Sequence, residues 1–115
     1  MCLLTWTIDE TEDAAVVRFS GEFDMSGRKA ADEVVRRAEL LRKPLLVLDF
    51  SDLAFMDSSG LHLALHARDR AVDDARRVAL VTGENRRILE VAGVVDLFEL
   101  LDESPDGDGS PTRGP

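Results

Sequence analysis

With 115 residues, the chain has room for one domain around a single modest core. Its apolar content of 44% is that of a globular protein, and no apolar run approaches the length of a membrane-spanning helix. The formal net charge of -9, from 23 acids against 14 bases with no basic stripe, argues against nucleic-acid binding and suits a partner that offers a basic surface.

The opening residues, MCLLTWTIDE, carry neither a basic leader nor a small-residue cleavage site, so they do not read as a signal peptide. Cys2 is the single cysteine, which rules out an internal disulfide and fits a reducing, cytoplasmic setting. Residues 3–8, LLTWTI, alternate as a strand does, with Leu4, Trp6 and Ile8 on one face. After the polar turn DETED, the run AAVVRFSG predicts a second strand with Val17 and Phe19 on one side, completing an antiparallel hairpin.

From Ser26 to Lys43 the period becomes helical. Ala31, Val34, Val35, Ala38 and Leu41 form the apolar stripe, and Pro44 is placed to close the helix. LLVLDF, 45–50, is a continuous apolar run of the kind buried on both faces of a parallel sheet. A second helix is expected over 59–71, with Leu61, Ala64, Leu65 and Arg68 sharing a face. RVALVTG predicts another buried strand. ENRRILEVAG predicts a helix starting near Glu84 or Asn85 and capped by Gly93. VVDLFELL ends the ordered part, and the Pro-, Gly- and Asp-rich remainder over 103–115 reads as a disordered tail. Helices alternating with buried strands after a hairpin imply an α/β domain over residues 1–102, with a mixed sheet and helical crossovers.

Four groups of residues invite a chemical reading. Asp57, Ser58 and Ser59 lie where a strand-following loop becomes a helix. Capping of backbone N–H groups explains a serine there, and the same helix end tolerates a phosphoryl group. His62 and His66 are spaced for a two-histidine metal site with Asp69 as a third ligand, but no Glu follows the first His and no further His completes a shell. A Ser58, His62 and Asp57 triad suffers from His62 lying one helical turn from Ser58, and no G-x-S-x-G elbow is present. Glu22 and Asp24, flanked by Gly21 and Gly27, read either as a solvated turn in which Asp24 or Ser26 caps the next helix, or as an acidic patch near Asp57 for a basic partner.

Three stretches taken together, FSGEFD (19–24), VLDFSDLAFMDSSGLHLAL (47–65) and ILEVAGVVDLFEL (88–100), resemble the STAS domain of bacterial anti-sigma-factor antagonists, over roughly residues 3–101. The resemblance implies a regulator that works by partner switching and is not itself an enzyme. The first serine after the aspartate, here Ser58, would be the phosphoacceptor, with Ser59 as the fallback. An anti-sigma factor that is also an ATP-dependent serine kinase would add the phosphate, and a PP2C-type phosphatase would remove it. The chain would need no cofactor, no nucleic acid and no membrane. Its partner-binding residues would be Glu22, Asp24, Asp57, Ser59, Gly60 and Leu61.

The unmodified form would bind the anti-sigma factor and so release a sigma factor. The alternative is a STAS adaptor or ligand-sensing module in a transport or signalling assembly, whose serine is only a cap. A small hydrolase or metalloprotein using Ser58, His62 or His66 is a third reading. Three features depart from the family's pattern. An amphipathic helix usually follows LFEL, whereas here it is missing or cut to residues 95–103; Met25 and Ser26–Gly27 replace a more polar helix start; and His62 stands where many relatives carry glycine.

Overall fold

A computed structural model describes residues 3–105. The chain opens with a hairpin of β1 (Leu4–Glu10) and β2 (Ala14–Phe23), paired antiparallel with Trp6 opposite Phe19 and Ile8 opposite Val17. Thr11 closes the turn, its Oγ1 accepting the Ala14 N–H at 3.0 Å. Helix α1 (Arg28–Glu39), strand β3 (Leu45–Met56), helix α2 (Ser58–Asp73), strand β4 (Arg77–Val81), helix α3 (Arg86–Ala92) and strand β5 (Glu99–Leu101) follow. The sheet order is β1-β2-β3-β4-β5, and every neighbouring pair after the hairpin is parallel. The expected mixed α/β sheet is therefore present.

The helices bury their apolar stripes on one face of the sheet. Ala31, Val34, Val35 and Ala38 of α1, and Leu63, Ala64, Ala67 and Ala71 of α2, join Val17, Phe19, Leu46, Leu48 and Phe50 in the main core. Phe19, Phe23 and Phe50 meet with ring centroids 5.6–6.4 Å apart, and burying each such ring is worth about 1.5–3 kcal/mol.

The opposite face carries a small cluster of Val16, Val47, Ala79 and Val81 beside the buried carboxylate of Asp49. Burial works to raise the Asp49 pKa. Hydrogen bonds from the Ser104 and Ser51 hydroxyls, the Ser51 N–H and Arg18 Nε outweigh it and hold the carboxyl below its usual value.

Several boundaries differ from the sequence reading. Helix α1 ends at Glu39, not at Pro44; Arg42 turns into a left-handed conformation (φ 56°), and Leu41 lies beyond the helix, part exposed. In α2 the buried stripe is centred on Leu63, Ala64, Ala67 and Ala71 with Leu61, while Arg68 reaches outward to donate to the Leu97 carbonyl at 2.9 Å. Among the described residues no α-helix follows Val94: a short 3-10 turn at Val95–Leu97 leads into β5, whose Leu100 pairs with Leu80. The reason is packing. Phe98 is buried, and residues 99–101 satisfy the edge of β4 that would otherwise be unpaired. Of the expected tail, Ser104 donates to Asp49, and residues 106–115 lie outside the described residues. Among the described residues no helix is long and apolar enough to cross a membrane.

Candidate functional site

Strands β2 and β3 outrun β4. Their pairing continues to Glu22 opposite Phe55 and Phe23 opposite Met56, whereas β4 stops opposite Asp49. Two register shifts on the way, between Arg18 and Ser20 and between Gly21 and Glu22, bend this projecting ribbon. Gly21 is required there: its φ is 94°, and a Cβ would lie 2.1 Å from the Leu3 carbonyl oxygen. The carbonyls of Phe50 and Leu53, which face no β4 partner, are taken by the Asn85 amide at 2.8 and 3.2 Å, tying the start of α3 to β3.

The projecting ends bring the sequence-predicted acids together. The Asp57 N–H donates to the Phe23 carbonyl at 3.1 Å, so Asp24 and Asp57 leave adjacent strands side by side. Glu22 belongs to β2 itself and is exposed, which corrects its placement in a loop. Asp24 caps the turn before α1: Oδ1 accepts the Ser26 hydroxyl at 2.6 Å and the Ser26 N–H at 2.9 Å. These two bonds, the hydroxyl first, hold the Asp24 carboxyl below its usual pKa, so it is an anion at neutral pH.

At the start of α2 the three capping-competent residues take three different roles. Asp57 is the N-cap, its Oδ1 accepting the Ser59 N–H at 2.8 Å. Ser58 is the first helical residue and its side chain is exposed. Ser59 is only 2% exposed. Gly60 and Leu61 are buried as well, so these three form the floor of the site. Gly60 lies against Met56, which leaves no room for a side chain: a Cβ would come within 2.5 Å of its Sδ. Phe55 and Met25, two large apolar side chains, stand exposed next to these acids in the chain.

The arrangement presents an exposed hydroxyl in the first turn of α2, next in sequence to the Asp57 cap, while Asp24 follows the adjacent strand end. Among the described residues no hydrogen bond joins Ser58 to His62, and Asp57 is engaged by the backbone. His62 and His66 are exposed on α2, and among the described residues no group of three or more His, Cys, Asp or Glu is placed to hold a metal ion. What the sequence reading missed is Phe55, whose exposure follows from the ribbon outrunning β4.

The profile of the STAS domain family matches residues 5–106. No protein of curated function matches the chain. Among solved structures, an anti-sigma factor antagonist from Mycobacterium paratuberculosis is 24% identical, with 90% of this chain and 89% of that one covered and a TM-score of 0.77. SpoIIAA in its unphosphorylated form is 21% identical, covering 84% and 88%, with a TM-score of 0.68. The Bacillus cell fate determinant SpoIIAA in the phosphorylated form is 22% identical, covering 84% and 91%, with a TM-score of 0.64.

Proposed function

Because the chain belongs to the STAS domain family, we propose that it is an anti-sigma-factor antagonist switched by phosphorylation of Ser58. The observation that carries this reading is the contrast between two adjacent serines. Ser58 projects into solvent from the first turn of α2, while Ser59 is buried beneath it. A kinase can reach only an exposed hydroxyl, so Ser58 takes precedence over Ser59 as phosphoacceptor. The structural likeness to anti-sigma factor antagonists supports the general role of antagonist.

The mechanism needs no catalytic group in this chain. In the unmodified form, Glu22, Asp24 and Asp57 offer anions to a basic partner, and Phe55 and Met25 offer apolar area beside them. The partner is an anti-sigma factor that is also a serine kinase and uses ATP; its capture releases a sigma factor. Phosphorylation adds about -1.5 to -2 charges and three acceptor oxygens at Ser58. Asp57 is next in sequence and Asp24 on the adjacent strand end, so like charges crowd a surface that the partner must desolvate. A penalty of about 1–3 kcal/mol, roughly 5–150-fold in affinity, is enough to exchange partners by mass action. A PP2C-type phosphatase resets the switch.

The test is to incubate the protein with candidate anti-sigma serine kinases and ATP, then to locate phosphate by mass spectrometry. Phosphate is expected on Ser58 alone, with Ser58→Ala retaining kinase binding but accepting none. Undiminished incorporation into Ser58→Ala sinks the assignment.

A further inference from the structure

Six of the chain's 14 Lys and Arg line one crevice, between α1 and α2. One part, of about 450 Å³, is walled by Arg28, Lys29 and Arg36 of α1 and by His66 and Arg70 of α2. A continuation of about 320 Å³ shares Arg36 and Arg70 and adds Arg42 and Arg76. The acids along it, Asp32, Glu39 and Asp74, leave a local charge of +3 on a chain whose net charge is -9.

Those acids are already engaged. Asp32 pairs with Arg36 at 3.0 Å and with Arg70 at 3.8 Å; Glu39 accepts Arg70 Nε at 3.0 Å; and Asp74 pairs with Arg76 at 2.7 Å. Arg28, Lys29 and Arg42 have no acidic partner among the described residues. Arg70 Nη2 is buried with no hydrogen-bond partner. The first turn of α1 carries Arg28 and Lys29 and no acid, which sets two cations at the positive end of a helix dipole. Neither folding nor solubility calls for that arrangement.

We infer that this crevice is a second docking site, for an acidic and partly apolar segment of the protein partner. The inference rests on the partner-switching reading and extends its interface. Arg28 and Arg36 are eight residues apart on one helix, about 12 Å at the helical rise, so a row of carboxylates on a peptide matches the cations better than one small anion does. Met25 and Leu40, exposed at 79% and 73%, line the crevice and supply the apolar contacts. Helices α1 and α2 both start from the projecting ends of β2 and β3, so a partner seated on Ser58 reaches the crevice without leaving the surface. The docking face then has two signs: acids around Ser58 and cations along the helices. A partner must mirror both, which fixes its orientation and rejects proteins that match only one.

The test compares the wild type with the double variant Arg28→Glu/Lys29→Glu, both checked for an unchanged melting temperature. The probes are the purified kinase that marks Ser58, a short synthetic peptide of glutamates and leucines, and inorganic triphosphate. The expected results are a loss of kinase affinity of about tenfold or more, with a shallower salt dependence, and peptide-induced shifts at Arg28, Lys29, His66 and Arg70 amides in the wild type only. Equal kinase affinity of variant and wild type overturns the crevice assignment while leaving the Ser58 switch standing. Triphosphate that moves the same amides as strongly as the peptide also overturns it, in favour of a small-anion site. If no kinase marks Ser58 yet the peptide still binds the crevice, the switch fails and an acidic docking segment survives.

Discussion

Replacing Gly60 by alanine tests how tightly the floor of the site is built. The new Cβ would lie 2.5 Å from Met56 Sδ and 2.6 Å from its Cγ, both far inside van der Waals contact. Met56 is 7% exposed and its Cγ is held close to the β3 backbone, so rotation of the thioether tip alone does not clear the overlap. Overpacking of this kind costs about 1–3 kcal/mol. Alanine returns up to about 1 kcal/mol of helix propensity, leaving a net loss of about 1–2 kcal/mol. For a domain of this size that lowers the melting temperature by about 5–10 °C.

Urea denaturation gives the same quantity as a shift in midpoint at constant slope. The companion variant Met56→Ala/Gly60→Ala isolates the cause. Met56→Ala alone opens a cavity and costs about 2–5 kcal/mol, but adding Gly60→Ala to it should cost nothing further, because the overlapping atoms are gone. A Gly60→Ala protein as stable as the wild type would refute the reasoning.

Two other outcomes follow from the geometry. Asp57→Ala removes the acceptor of the Ser59 N–H and should cost about 1 kcal/mol in denaturant melts, while Asp57→Asn keeps the cap and the stability but loses the charge, weakening partner binding in a titration. The Asp49 carboxyl is held below its usual pKa of 3.8 in the folded state, so the unfolded chain binds the proton more readily. Its contribution is fully present above about pH 4 and fades as pH falls through the folded value; Asp49→Asn should flatten the acid limb of stability against pH below 4, measured by melting temperature.

The parallel strands and the α1 stripe were legible because continuous apolar runs and a 3.6-residue period are strong local signals. Glu22 was not, since a glycine and an acid interrupt the pattern where β2 passes two register shifts, and only pairing with β3 keeps it extended. Strand β5 was hidden by its length, three residues whose assignment depends on the open edge of β4. At 57–59 three consecutive residues could each cap a helix; the sequence reading gave that role to a serine, Ser59, and the geometry gives it to Asp57. The basic crevice could not be read along the chain either. Its cations are spread from position 28 to 76 and converge only once two helices lie side by side.

Leu3 and Ser104, near the two limits of the described residues, are fastened in different places. The backbone of Leu3 is bonded to Glu22, its carbonyl accepting that N–H at 3.3 Å, whereas Ser104 is fastened to Asp49 on the sheet face away from the helices. A label carried on Leu3 therefore lies beside Glu22, one of the acids of the site. A label carried on Ser104 sits on the face opposite the helices, and so leaves the crevice between α1 and α2 uncovered.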